Sequence, residues 1–141
     1  MKKIAYQLVI ISVLFLFIAG SCKKKGGGGG GGGGTTEAGL VVTLNPPANS
    51  TQPAAPQTDF PLTVSITSTM PSQGVNIDVR VAPDGSSTNF FTETRSSTAA
   101  NNNFTITNTP TGVVCVTTVT VTSKTLATNT VTLSYRYSRK P

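Results

Sequence analysis

A single seven-stranded, all-β antiparallel sandwich is the fold class this sequence predicts for residues 38–141. Three observations predict it. From Leu40 onward, apolar residues recur at alternate positions in short runs. Clusters of Pro, Gly, Asn and Asp separate those runs at the spacing of turns. No stretch of this region reads as a helix, so mixed and all-α classes drop out.

The chain opens with Met1-Lys2-Lys3, an apolar run from Ile4 to Ile18, and the small residues Ala19-Gly20-Ser21. A charged start, an apolar stretch and a small-residue cleavage zone are the layout of a helical signal peptide, residues 1–21. The competing reading is an uncleaved anchor. The run from Ile4 to Gly20 lies at the bottom of the range for a spanning helix, about 20 residues, and it holds Gln7 and Ser12. Either reading exports the domain behind it. Residues 22–37 carry Cys22, three lysines, and nine consecutive glycines from Gly26 to Gly34. Such a segment buries nothing and behaves as a flexible linker, spanning about 20 Å as a random coil. It is not a phosphate-binding loop, because it lacks a Gly-Lys-Ser/Thr ending and no strand precedes it.

The strands come in order. Leu40, Val42 and Leu44 alternate until Asn45-Pro46-Pro47 ends the first strand. Residues 46–58 hold prolines at 46, 47, 53 and 56 and read as a long loop or edge segment. Leu62, Val64 and Ile66 form the second strand, closed by Met70-Pro71. Val75, Ile77, Val79 and Val81 form the inner face of the third, with Asn76, Asp78 and Arg80 outward, before Pro83-Asp84-Gly85 turns the chain. Phe90 to Thr94 is a short fourth strand. Asn101-Asn102-Asn103 reads as a turn into the fifth, which carries Phe104 and Ile106. The sixth opens at Thr109-Pro110-Thr111-Gly112 and turns Val113, Cys115, Thr117, Val119 and Val121 inward. The seventh places Val131, Leu133, Tyr135 and Tyr137 on one face.

The formal charge of +6 points to nucleic acid only until it is located. Five of the eleven basic residues lie in the leader and just after Cys22. Six basic residues against five acidic ones leave the domain near +1, so no nucleic-acid partner is expected. If Cys22 is consumed, Cys115 has no intrachain partner, and the domain folds without a disulfide. Its place in Val114-Cys115-Val116 marks Cys115 as a small buried apolar residue.

These residues carry two resemblances. The layout ending in Ala19-Gly20-Ser21-Cys22 resembles a bacterial lipoprotein, in which cleavage precedes the cysteine and a diacylglyceride is attached to its sulfur. Gly20 and Ser21 fit the small-residue positions, and Ala19 stands where that family usually has Leu. Lys-Lys-Lys before polyglycine is similar to the leader of Bacteroidetes-type lipoproteins. The resemblance implies Cys22 as the lipidation site, a membrane partner through the lipid anchor, and a place in the cell envelope on the outer membrane. Lysines next to anionic headgroups would add about 1 kcal/mol each. The seven strands resemble an immunoglobulin-like or fibronectin-III-like domain, with Cys115 on the sixth strand. The second-strand cysteine and third-strand tryptophan of true immunoglobulin domains are absent, so this resemblance is one of architecture.

Catalytic chemistry finds few carriers. The chain has no histidine, which removes Ser-His-Asp and Cys-His systems and imidazole metal sites. Asp78 and Glu93 are the one carboxylate pair that adjacent strands could bring together for glycoside cleavage. Calcium would need clustered oxygens, which Asp84-Gly85-Ser86 does not supply. No cofactor or metal is expected. Phe90 and Phe91 are consecutive, so one of them faces away from the core and is a candidate contact for a glycan. The outward positions are rich in Ser and Thr, with few lysines to block pairing at sheet edges. The expected role is that of a non-catalytic structural, adhesive or protein-binding envelope lipoprotein. The alternative is a carbohydrate-binding accessory protein. Loops around Gln73, Gly85 to Phe91 and Asn101 to Asn103 are the expected recognition surface.

Overall fold

The computed structural model describes residues 36–141. The predicted signal peptide, Cys22 and the glycine tether lie outside the described residues. Among the described residues there are seven strands and no helix: β1 (Val42–Asn45), β2 (Phe60–Ile66), β3 (Val75–Pro83), β4 (Phe91–Ser97), β5 (Asn101–Ile106), β6 (Val114–Ser123) and β7 (Thr130–Ser138). They form two antiparallel sheets, β1-β2-β5 and β4-β3-β6-β7. The chain folds as the seven-stranded antiparallel β-sandwich expected of it. The fourth strand lies beside β3, which makes the division three plus four.

The alternation read in β3 holds residue by residue. Val75, Ile77, Val79 and Val81 are fully buried, and Asn76 and Arg80 are exposed. They meet Leu62, Val64, Ile66, Phe104 and Ile106 of the facing sheet, together with Val119 and Val121 of β6, in one core. Cys115 is a free thiol with no exposed surface, placed by the same alternation. Both outer faces are rich in Ser, Thr and Asn, which bond across strands. Thr120 pairs with Thr132 at 3.1 Å, Thr122 with Thr130 at 2.9 Å, and Thr63 donates to Asn103 at 2.9 Å.

Several boundaries differ from expectation: β1 starts at Val42 and not at Leu40, and β4 runs Phe91–Ser97 and not Phe90 to Thr94. Asn101 to Asn103 lie in β5 and not in a turn, because Asn102 turns inward and satisfies its amide on the Ala99 carbonyl at 2.9 Å. The bend is Thr98–Ala100. Val113 is exposed, since β6 begins only at Val114, after Gly112 takes a positive φ of 72°. The buried set of β6 is Cys115, Thr117, Val119, Val121 and Ser123.

Each free strand edge is covered or blocked without lysine. The segment after β1 crosses to the other sheet and runs parallel to β7, with bridges at Thr51–Arg136 and Ala55–Arg139. Asn49, Gln52 and Ala55 donate backbone N–H groups to Ser134, Arg136 and Ser138 carbonyls. β6 is central, between β3 and β7. β1 offers only four residues. β4 and β5 lie at the remaining open side, where a charged side chain closes the gap.

Candidate functional site

Adjacent antiparallel residues share a face. Glu93 stands opposite Val79 and Arg95 opposite Ile77, so both charges point inward at the open side. Asp78 stands opposite Thr94 and points outward. The two candidate carboxylates therefore occupy opposite faces of one sheet and cannot flank a glycosidic bond. Each has its own arginine: Arg80 Nε donates to Asp78 Oδ2 at 2.6 Å, and Arg95 Nη2 donates to Glu93 Oε1 at 2.5 Å. Thr94 also donates to Asp78 Oδ1 at 2.7 Å.

Arg95 does more than pair. Its guanidinium lies 4.3 Å from the centre of the Phe104 ring, and its Nη1 donates to the Asn103 carbonyl at 2.9 Å. A side chain of β4 thus clamps β5 across the sandwich and caps an edge carbonyl. Inward charge at an edge also deters pairing with another chain. Removing the clamp in Arg95→Ala is expected to cost about 1 kcal/mol, from the lost cation–π contact and hydrogen bond. The variant should also self-associate in size exclusion with light scattering where the parent stays monomeric. Equal elution of both proteins at high concentration would remove the edge-protection argument.

Phe90 and Phe91 are both half-buried and pack against the core. Phe91 shares a face with Val81, and Phe90 sits in the bend before β4 with its N–H on the Val81 carbonyl at 2.9 Å. The exposed large apolar residues among those described are Val41, Val113, Val114 and Leu126, none of them aromatic.

The aromatic density lies instead on β7. Tyr135 and Tyr137 are each 2% exposed. Tyr137 packs on Phe60 with ring centres 4.5 Å apart, and on Tyr135 at 6.0 Å. The Tyr137 hydroxyl pairs with Thr109 Oγ1 at 2.9 Å in a buried contact that the sequence pattern did not expose. Tyr135 stands opposite Thr117, and neither buried hydroxyl has a well-formed hydrogen bond. Burial pushes both tyrosine hydroxyls above their ordinary range, an effect that Thr117 tempers for Tyr135 and Thr109 for Tyr137. Burial likewise raises the Cys115 thiol, which makes it a poor nucleophile.

The loops sort to the two ends of the sandwich. Residues 36–40 lie at the end that carries the β2–β3, β4–β5 and β6–β7 connections. There Leu40 N–H donates to Asn129 Oδ1 at 2.9 Å, and Asn129 Nδ2 donates to Glu37 Oε1 and to the Ala38 carbonyl. Gln73 belongs to this end. Gly85 to Phe91 belongs to the other, with residues 46–58 and 107–113. The sequence-predicted recognition residues are therefore not one surface. Among the described residues, no group of three potential metal ligands converges, and no helix is long and apolar enough to cross a membrane. No protein-family model, curated protein or solved structure matches the chain.

Proposed function

We propose that the chain is a lipoprotein of the cell envelope, held on the outer membrane by a lipid on Cys22. Its sandwich serves a non-catalytic structural, adhesive or protein-binding role. The observation that carries this reading is the position of Cys22, between a signal-type leader and a lysine-glycine tether. A sandwich that closes its own edges and folds without a disulfide is suited to stand alone on such a tether. The described chain begins at the end bearing Gln73 and Asn129. Recognition is assigned to the loops of the opposite end, Gly85 to Phe91 among them.

The test is the mass of the N-terminal peptide from the membrane fraction of a Gram-negative host, beside a Cys22→Ser variant. The expected peptide begins at a diacylated or triacylated Cys22, and the variant carries no lipid and leaves the membrane fraction. An intact Met1 in the parent protein, or an unlipidated soluble product, would overturn the anchor.

A further inference from the structure

A small pocket opens beneath the segment that covers β7, at the end of the sandwich away from residues 36–40. Phe60, Tyr135 and Tyr137 line it, together with three prolines at 46, 53 and 61 and the side chains of Gln52, Ala55 and Gln57. Its volume is about 190 Å³. Apolar cavities of about 150 Å³ accept a benzene ring, whereas sites for drug-sized ligands start at about 300 Å³. The pocket therefore takes one ring and little more.

The lining chooses among rings. None of its residues is charged, so an ionic guest would be desolvated without compensation. A pyranose brings several hydroxyls, and prolines, alanine and ring edges cannot satisfy them. The polar groups at hand are few. Gln52 donates to Ser50 at 2.7 Å and keeps its amide oxygen free, while the Gln57 amide makes no hydrogen bond among the described residues. The Tyr135 hydroxyl is fully buried beside Thr117 and offers a guest nothing. The walls are also stiff, because prolines and packed rings lose little freedom when a guest enters.

We propose that this pocket binds one neutral aromatic ring carrying a single polar atom, the chemistry of a tyrosine side chain. The inference deepens the protein-binding reading above and rests on it for the source of the ring. A ring presented by a partner protein and a free phenol share this chemistry.

The probe is p-cresol, titrated into the mature chain, from Cys22, with ring-labelled tyrosine and followed by NMR. From Cys22 onward the chain has two tyrosines and no tryptophan, so only Tyr135 and Tyr137 report. Tyr135 and Tyr137 signals should shift saturably at roughly millimolar concentration, as a fragment of this size allows. Toluene should bind at least threefold more weakly, and methyl glucoside should leave the signals in place. Ala55→Leu, which fills the pocket, should weaken p-cresol at least tenfold. Should that variant misfold, Gln57→Ala serves instead, and it should shrink the preference for p-cresol over toluene. A peptide bearing one tyrosine that binds more tightly than p-cresol points to a protein as the source; equal affinity points to a free phenol. Saturation by methyl glucoside, absence of any shift with p-cresol, or p-cresol binding unchanged in both variants would overturn the proposal. None of these outcomes alters the mass of the Cys22 peptide, so a failed pocket and a failed anchor remain distinguishable.

Discussion

Above pH 10 the sandwich is expected to lose stability steeply, and Tyr135 and Tyr137 are the reason. Both hydroxyls are buried, and burial raises their pKa above the ordinary value near 10. The folded state keeps those protons at pH values where the unfolded chain releases them. Stability is therefore fully present below pH 10 and falls as pH rises toward the folded values. Each tyrosine contributes a slope of about 1.4 kcal/mol per pH unit once it is ionised in the unfolded state. Cys115 acts with the same sign from about pH 9 upward. A domain of this size has about 5–15 kcal/mol in hand, so alkaline unfolding should be complete within a few pH units. Urea melts at pH 8, 10 and 11 measure the slope. In Tyr137→Phe the slope should flatten by about 1.4 kcal/mol per unit. At neutral pH that variant should lose about 1–3 kcal/mol, because Thr109 keeps a buried hydroxyl without its partner. A slope unchanged by the substitution would show that other groups govern the alkaline limb.

Gly74→Ala is expected to be the most damaging single-methyl change. Gly74 precedes β3 with φ of +79°, and a Cβ there would lie under 3.0 Å from the Ser97 carbonyl oxygen. Ser97 is the register partner of Val75, so the obstacle is backbone at the end of the β3–β4 ladder and cannot rotate away. The left-handed conformation alone costs an alanine about 1–2 kcal/mol. The clash adds the cost of shifting the ladder, so a total loss above about 2 kcal/mol is expected. Gly85→Ala is the control. Gly85 has nearly the same φ, +81°, with nothing within 4 Å of its added Cβ. It should show the conformational cost alone. Equal midpoints for the two variants in urea denaturation would mean that the Ser97 contact yields without cost.

What could be read from the sequence was local and periodic. The alternation of Val75, Ile77, Val79 and Val81 places its own burial, because a strand turns successive side chains to opposite faces. The same rule placed Cys115, Thr117, Tyr135 and Tyr137 inward, and the prolines of 46–58 marked an edge segment. Where local signals compete, periodicity misleads. Three consecutive asparagines look like a turn until Asn102 finds the Ala99 carbonyl inside the sandwich. Val113 looks apolar and inward until Gly112 delays the strand.

The strand count, most of the core and the Ser- and Thr-rich outward positions were legible in the sequence. Each of these comes from side-chain periodicity along one strand. Which strands are neighbours, and in what register, comes from the packing of the sheets. Register separates Asp78 from Glu93 by a sheet, turns Arg95 onto Phe104, and pairs Thr109 with Tyr137 across 28 residues of chain. It also draws residues 46–57 over β7, where three aromatic rings and three prolines enclose the pocket. Those are contacts between segments distant in sequence. They come from the packing of two twisted sheets, which no single strand's pattern encodes.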